Sequence, residues 1–162
     1  MSVSARVLGY LEGAWRFERV VKGSQSATAI GTATFTRLSE ESDALHYSER
    51  GRITELGASF YREYVYRLQD EQLRVYFCQE SCSTDLFHTI LLNREKLYIR
   101  GSGKHLCLAD HYDLRYMFPP DFSSSFFGIF CKVHGPKKNY TIETTFHRQI
   151  SAAARSCRRE GN

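Results

Sequence analysis

The sequence predicts an all-β protein: an antiparallel up-and-down meander of about nine or ten short strands, closed as a barrel, with one short N-terminal helix. Three observations predict it. Aromatic residues make up 14% of the 162 residues, with 10 Tyr and 11 Phe, and aromatic side chains suit a pleated, half-buried surface. Alternating apolar and polar runs recur along the chain, separated by short polar or Gly-containing turns. No helical periodicity intervenes between those runs, so neighbours in sequence become neighbours in space, and closure removes the unpaired edges.

Val3, Val7, Leu8 and Leu11 fall at helical spacing behind a Ser2 or Ser4 cap, giving one amphipathic helix that plugs or abuts an end of the fold. Trp15, Phe17 and Arg19 alternate on a first strand that ends at the Lys22-Gly23-Ser24 turn. The second strand runs from Ala27 to Arg37 through Gly31. Leu45, Tyr47 and Glu49 lead to Arg50-Gly51 in the third, and Phe60, Arg62, Tyr64, Tyr66 and Leu68 form one face of the fourth. Gln69-Asp70-Glu71 turns the chain into Leu73–Cys78, and a polar loop leads to Leu86–Leu92. Lys96–Arg100 is short, and Gly101-Ser102-Gly103 opens a strand over His105–Tyr116. Met117–Ser125, with Pro119-Pro120, is the one long loop and is expected to fold over an opening, because proline cannot continue a central ladder. Phe126–His134 and Tyr140–Arg148 are the last strands, joined through Gly135-Pro136-Lys137-Lys138-Asn139.

Composition narrows the function classes. Residues 1–149 read as a single domain, and 150–162 as a basic tail, with Arg155, Arg158 and Arg159, that is expected to be disordered. Without that tail the body is close to neutral, so the formal charge of +4 is weak support for nucleic-acid binding, which is not expected. The chain shows neither an apolar run of membrane-helix length nor a secretory leader pattern, and its five cysteines are an odd number in irregular spacing. A soluble, cytoplasmic protein with free thiols is expected. Cys78 and Cys82 lack a matching second pair, which argues against structural zinc, and no metal ligands are assigned.

The chemistry concentrates in His105–Tyr116. Within one strand, strict alternation separates His105 and Cys107 from Asp110 and Tyr112; one extra residue near Leu108 or Ala109, a β-bulge, brings all four to one face. Arg62, on an otherwise apolar ladder, requires a partner if buried, and Glu49, Asp110 or an acidic ligand suits it.

Two motif sets carry a resemblance. Gly13-x-Trp15 on the first strand, with Arg148 on the last, resembles the calycin superfamily, the lipocalin-like and fatty-acid-binding-like barrels. The resemblance implies that Trp15 closes one barrel end and Arg148 packs across it. The order Gly31-x-Ala33-x-Phe35, Tyr47-x-Glu49-x-Gly51, Arg62-x-Tyr64, Phe87-His88, His105-x-Cys107-x-x-Asp110-x-Tyr112 and Gly135-Pro136-Lys137-Lys138-Asn139-Tyr140 resembles a calycin-like domain family of unknown function, best represented in bacteria. That likeness spans Leu11 to Arg148 and implies a fold and a site location but no activity.

The expected function is a binding module whose barrel holds a partly apolar, anionic small molecule. Its expected lining is Glu49, Arg62, Tyr64, His88, His105, Cys107, Asp110, Tyr112, Lys138 and Tyr140. Arg62 with Tyr64 supplies a charge-assisted anchor, and histidines and tyrosines fix orientation. An enzyme using the same pocket is the less favoured alternative, with His105 or His88 oriented by Asp110 for proton transfer. A filled barrel serving as a protein-interaction scaffold is a further one. The resemblance to calycin barrels implies a further alternative, a haem or metal site through His88 or His105, and the sequence leaves cofactor and oligomeric state open.

Overall fold

The computed structural model describes residues 1–40, 42–78 and 85–150. Ten antiparallel strands close into a barrel in the order β1-β10-β9-β8-β7-β6-β5-β4-β3-β2. They are β1 (Gly13–Lys22), β2 (Ala27–Arg37), β3 (Ala44–Ile53), β4 (Ser59–Gln69), β5 (Gln72–Phe77), β6 (Leu86–Arg94), β7 (Ile99–Cys107), β8 (Asp110–Phe118), β9 (Phe126–His134) and β10 (Asn139–Arg148), preceded by α1 (Val3–Leu11). Among the described residues the fold is therefore the all-β barrel with one N-terminal helix, and the strand count is ten. Among the described residues no helix is long and apolar enough to cross a membrane.

Alternation fills the interior. Trp15, Phe17, Phe35, Leu45, Tyr66, Leu73, Ile90, Ile99, Phe118, Phe127 and Phe146 are all buried, and rings meet edge-on or stacked, as for Trp15 and Phe127 at 4.8 Å. The up-down topology places α1 and the 119–125 loop at one end, and the β1–β2, β3–β4, β7–β8 and β9–β10 connections at the other.

The α1 end is sealed. Ser2 caps the helix by accepting from the Ala5 amide at 3.2 Å, and Val7, Leu8 and Leu11 are buried against the strands. A helix leaves its last carbonyls without intrahelical partners. Trp15 Nε1 donates to the Leu11 carbonyl at 2.8 Å, and Arg148 donates to the carbonyls of Tyr10 and Glu12. Gly13 enters β1 at φ 130°, a conformation that side-chain-bearing residues avoid, and a Cβ there would lie 2.9 Å from an Arg148 nitrogen. The Pro119-Pro120 loop folds over this same end: the Tyr10 hydroxyl donates to the carbonyls of Ser124 and Phe126, and Phe122 packs on Tyr10.

Two local readings are corrected. His105–Tyr116 is not one strand with a bulge: β7 and β8 are separate strands joined by a two-residue turn at Leu108-Ala109, with Leu108 at φ 55°. The four side chains still share a face, because Cys107 pairs with Asp110 and His105 with Tyr112 across the hairpin, and directly opposed residues point the same way. The bulge lies elsewhere. Val75 pairs with His88 but Tyr76 with Leu86, so Phe87 is the extra residue of β6. The tail expected beyond residue 150 lies outside the described residues.

Candidate functional site at the open end of the barrel

Beneath the end opposite α1 lies a buried charge pair. Glu49 on β3 is only 2% exposed, and Arg19 on β1 meets both its oxygens at 2.8 Å while donating through Nε to Thr144 Oγ1 at 2.9 Å. The Tyr47 hydroxyl also donates to Glu49. Burial works to raise the Glu49 carboxyl, but the Arg19 hydrogen bonds and charge, with Tyr47 and the charge of Arg62, outweigh it and hold the group below its ordinary value. The partner expected for Arg62 thus belongs chiefly to Arg19. Sequence alternation placed Arg19 on the Trp15 face, but nothing in its spacing marked it as the residue that pairs with Glu49.

Arg62 itself is not a buried charge. Its side chain is 53% exposed at the rim, 3.9 Å from Glu49, with its guanidinium 5.9 Å from the Phe60 ring. Its charge is therefore solvated and available.

The bulge in β6 turns both Phe87 and His88 toward the interior. Phe87 stacks on Tyr64 at 5.6 Å and touches Phe77 at 4.7 Å, His105 at 5.0 Å and Tyr112 at 6.5 Å. These five rings make a continuous aromatic lining on one side of the mouth. Phe77 and Phe87 were absent from the expected set, because a bulge shifts parity without any signature in hydrophobic period.

His88 lies below this lining, 2% exposed. Its Nε2 is 2.6 Å from the Tyr116 hydroxyl, and its ring lies over Gly103, where a Cβ would come within 2.7 Å of it. Nδ1 has no hydrogen-bond partner among the described residues. Burial, with a smaller contribution from His105, pulls the imidazole down to about 3, so it is neutral at physiological pH. Whichever nitrogen carries the proton, His88 keeps one unused hydrogen-bonding valence inside the barrel.

The rim opposite Arg62 is built from the β7–β8 and β9–β10 hairpins. Lys138 pairs with Asp110 at 3.1 Å and reaches the Tyr112 hydroxyl at 3.4 Å, and those two hydrogen bonds raise the ammonium above its ordinary value. Asp110 therefore orients neither His88 nor His105, as the acid–base reading expected; it holds Lys138. Cys107 is an exposed thiol at the hairpin tip, and Tyr140 sits apart from the aromatic lining, against Gly23 of the β1–β2 turn. Of the two histidines considered for haem, only His105 is partly exposed.

Residues 11–148 match the model of the Family of unknown function (DUF6314). The chain belongs to that family. Among solved structures, this DUF6314 barrel is similar to Rv2717c from M. tuberculosis, at 12% identity and a TM-score of 0.68 over 93% of this chain and 99% of that one. It is also similar to the S-type phycobiliprotein lyase CPES from Guillardia theta, at 12% identity and a TM-score of 0.69 over 93% and 94% of the two chains. At such identity the likeness is one of fold alone. Comparison with curated protein sequences gives no match.

Proposed function

We propose that this barrel is a small-molecule binding module that admits a partly apolar, anionic ligand through its open end. The observation that carries the reading is the imbalance at the mouth. Among the described residues at the mouth, Arg19, Arg62 and Lys138 face two carboxylates, Glu49 and Asp110, so one positive charge is uncompensated. Arg62 is the cation whose charge is left over, because Glu49 already accepts two bonds from Arg19 and one from Tyr47. The five-ring lining offers flat apolar contact beside it, and His88 Nδ1 offers a directional contact at depth.

The fold supports the reading without deciding it. A sealed α1 end and an opposite rim that carries Arg62, Asp110 and Lys138 suit a barrel that receives a ligand from one side. Acid–base catalysis is less well supported, since Asp110 engages Lys138 and His88 engages Tyr116.

The test uses two dyes of similar shape. Anilinonaphthalene sulfonate carries an aromatic surface and an anion; phenylnaphthylamine carries the surface alone. Saturable binding of the sulfonate, weakened several-fold by Arg62→Ala and stronger than that of the neutral dye, supports the proposal. Equal binding of both dyes removes the anionic part, and no saturable binding of either removes the pocket.

A further inference from the structure

We propose that His46, Glu63 and Cys78 form a binding site for a divalent transition metal of the zinc class on the outer wall of the barrel. His46 on β3 and Glu63 on β4 point outward, and the pairing of Tyr64 with Phe77 places Cys78, just past β5, beside Glu63. The three ligand atoms lie within 4.8 Å of one another, the only such trio of His, Cys, Asp or Glu donors among the described residues.

The geometry and donor chemistry agree. Metal–ligand bonds of about 2.0–2.3 Å in tetrahedral array put donors roughly 3.3–3.7 Å apart. His46 Nε2 and Glu63 Oε1 are already 3.1 Å apart, so the ion enters by a small opening of that edge and a modest approach of the sulfur. Imidazole, carboxylate and thiolate together select zinc-like ions over magnesium or calcium, which prefer all-oxygen sites. Binding releases the Cys78 thiol proton to solvent and leaves a fourth position for water.

Two further features fit a metal site better than a plain ion pair. The Tyr61 hydroxyl donates to the same Glu63 oxygen at 2.5 Å, an outer contact of the kind that orients a ligating carboxylate. His46 and Glu63 are 31% and 33% exposed, which leaves an entry path while shielding the pair from full solvation. A bound ion ties β3 and β4 to Cys78, the residue that follows β5. No sequence spacing reveals the trio, because its members come together only through strand register.

Cobalt(II) is the probe. Titration of the full chain is expected to show one equivalent bound with a sulfur-to-cobalt charge-transfer band, displaced by zinc(II), and zinc(II) is expected to raise the melting temperature. Cys78→Ser should abolish the band, and Glu63→Gln should weaken cobalt binding by more than about tenfold. Cys107→Ser, at the far hairpin tip, should change neither. Glu63→Gln preserves shape on the surface, so the test survives if another variant misfolds. A charge-transfer band that persists in Cys78→Ser, or affinity unchanged in Glu63→Gln, overturns the assignment, as does the absence of stoichiometric binding.

Discussion

Arg148 lies across Trp15, its guanidinium carbon 4.1 Å from the ring centroid, while both side chains donate to the terminal carbonyls of α1. One contact thus ties the first strand, the last strand and the helix. Trp15→Ala is expected to cost about 3–5 kcal/mol as a large core truncation. Arg148→Ala should cost about 2–3 kcal/mol through the lost stacking and carbonyl contacts. Urea unfolding measures both; a near-neutral Trp15→Ala would mean that the helix end is not sealed by this residue.

Arg19 and Glu49 should behave quite differently from Arg62. Glu49→Gln leaves Arg19 buried opposite a neutral group, and breaking such a pair costs about 3–5 kcal/mol. Arg62→Ala removes an exposed charge 3.9 Å from an already satisfied carboxylate, and should shift stability by no more than about 1 kcal/mol. Equal destabilisation by the two variants, read from denaturant midpoints, would show that Arg62 is part of the structural pair after all.

Gly103 tests whether the His88 ring is held by shape. A methyl group at this position would sit 2.7 Å from the His88 Cδ2 atom and 3.0 Å from the Thr89 carbonyl oxygen. Gly103→Ala is expected to destabilise by about 1–3 kcal/mol, in the range for overpacking a close-packed core. A calorimetric or urea measurement showing no loss would mean the ring moves aside at no cost.

The outline of this fold is legible in the sequence because a barrel repeats one simple rule. Trp15 and Phe17, Phe60 and Tyr64, and Phe126–His134 all follow the two-residue alternation that the pleat imposes, so their strands emerge directly from pattern. The site is less legible for two physical reasons. A two-residue turn of Leu108 and Ala109 carries none of the Gly or Asn that usually marks a tight hairpin, so β7 and β8 read as one strand. The bulge at Phe87 reverses parity locally, which hides the alignment of Phe87 with Phe77 and Tyr64. Partner choice is the third loss: which acid Arg62, Arg19 or Lys138 meets depends on register between distant strands, and alternation is silent on that.

His88 gives the fold a dependence on acid. A histidine in the unfolded chain titrates near 6.5, whereas burial holds this one down to about 3. Above pH 6.5 both states are neutral at this residue, so it contributes no pH dependence there. Between 6.5 and about 3 the unfolded chain binds a proton that the folded barrel refuses, and stability therefore falls as pH falls through this window. At about 1.4 kcal/mol per pH unit, the loss reaches roughly 2 kcal/mol near pH 5. His88→Gln keeps an uncharged polar group facing Tyr116 and removes the titration. Its unfolding free energy, measured in urea from neutral pH downward, should decline less steeply than that of the unsubstituted protein by this amount. If the two pH profiles run parallel, the acid sensitivity belongs to other groups, and His88 is not held neutral by burial alone.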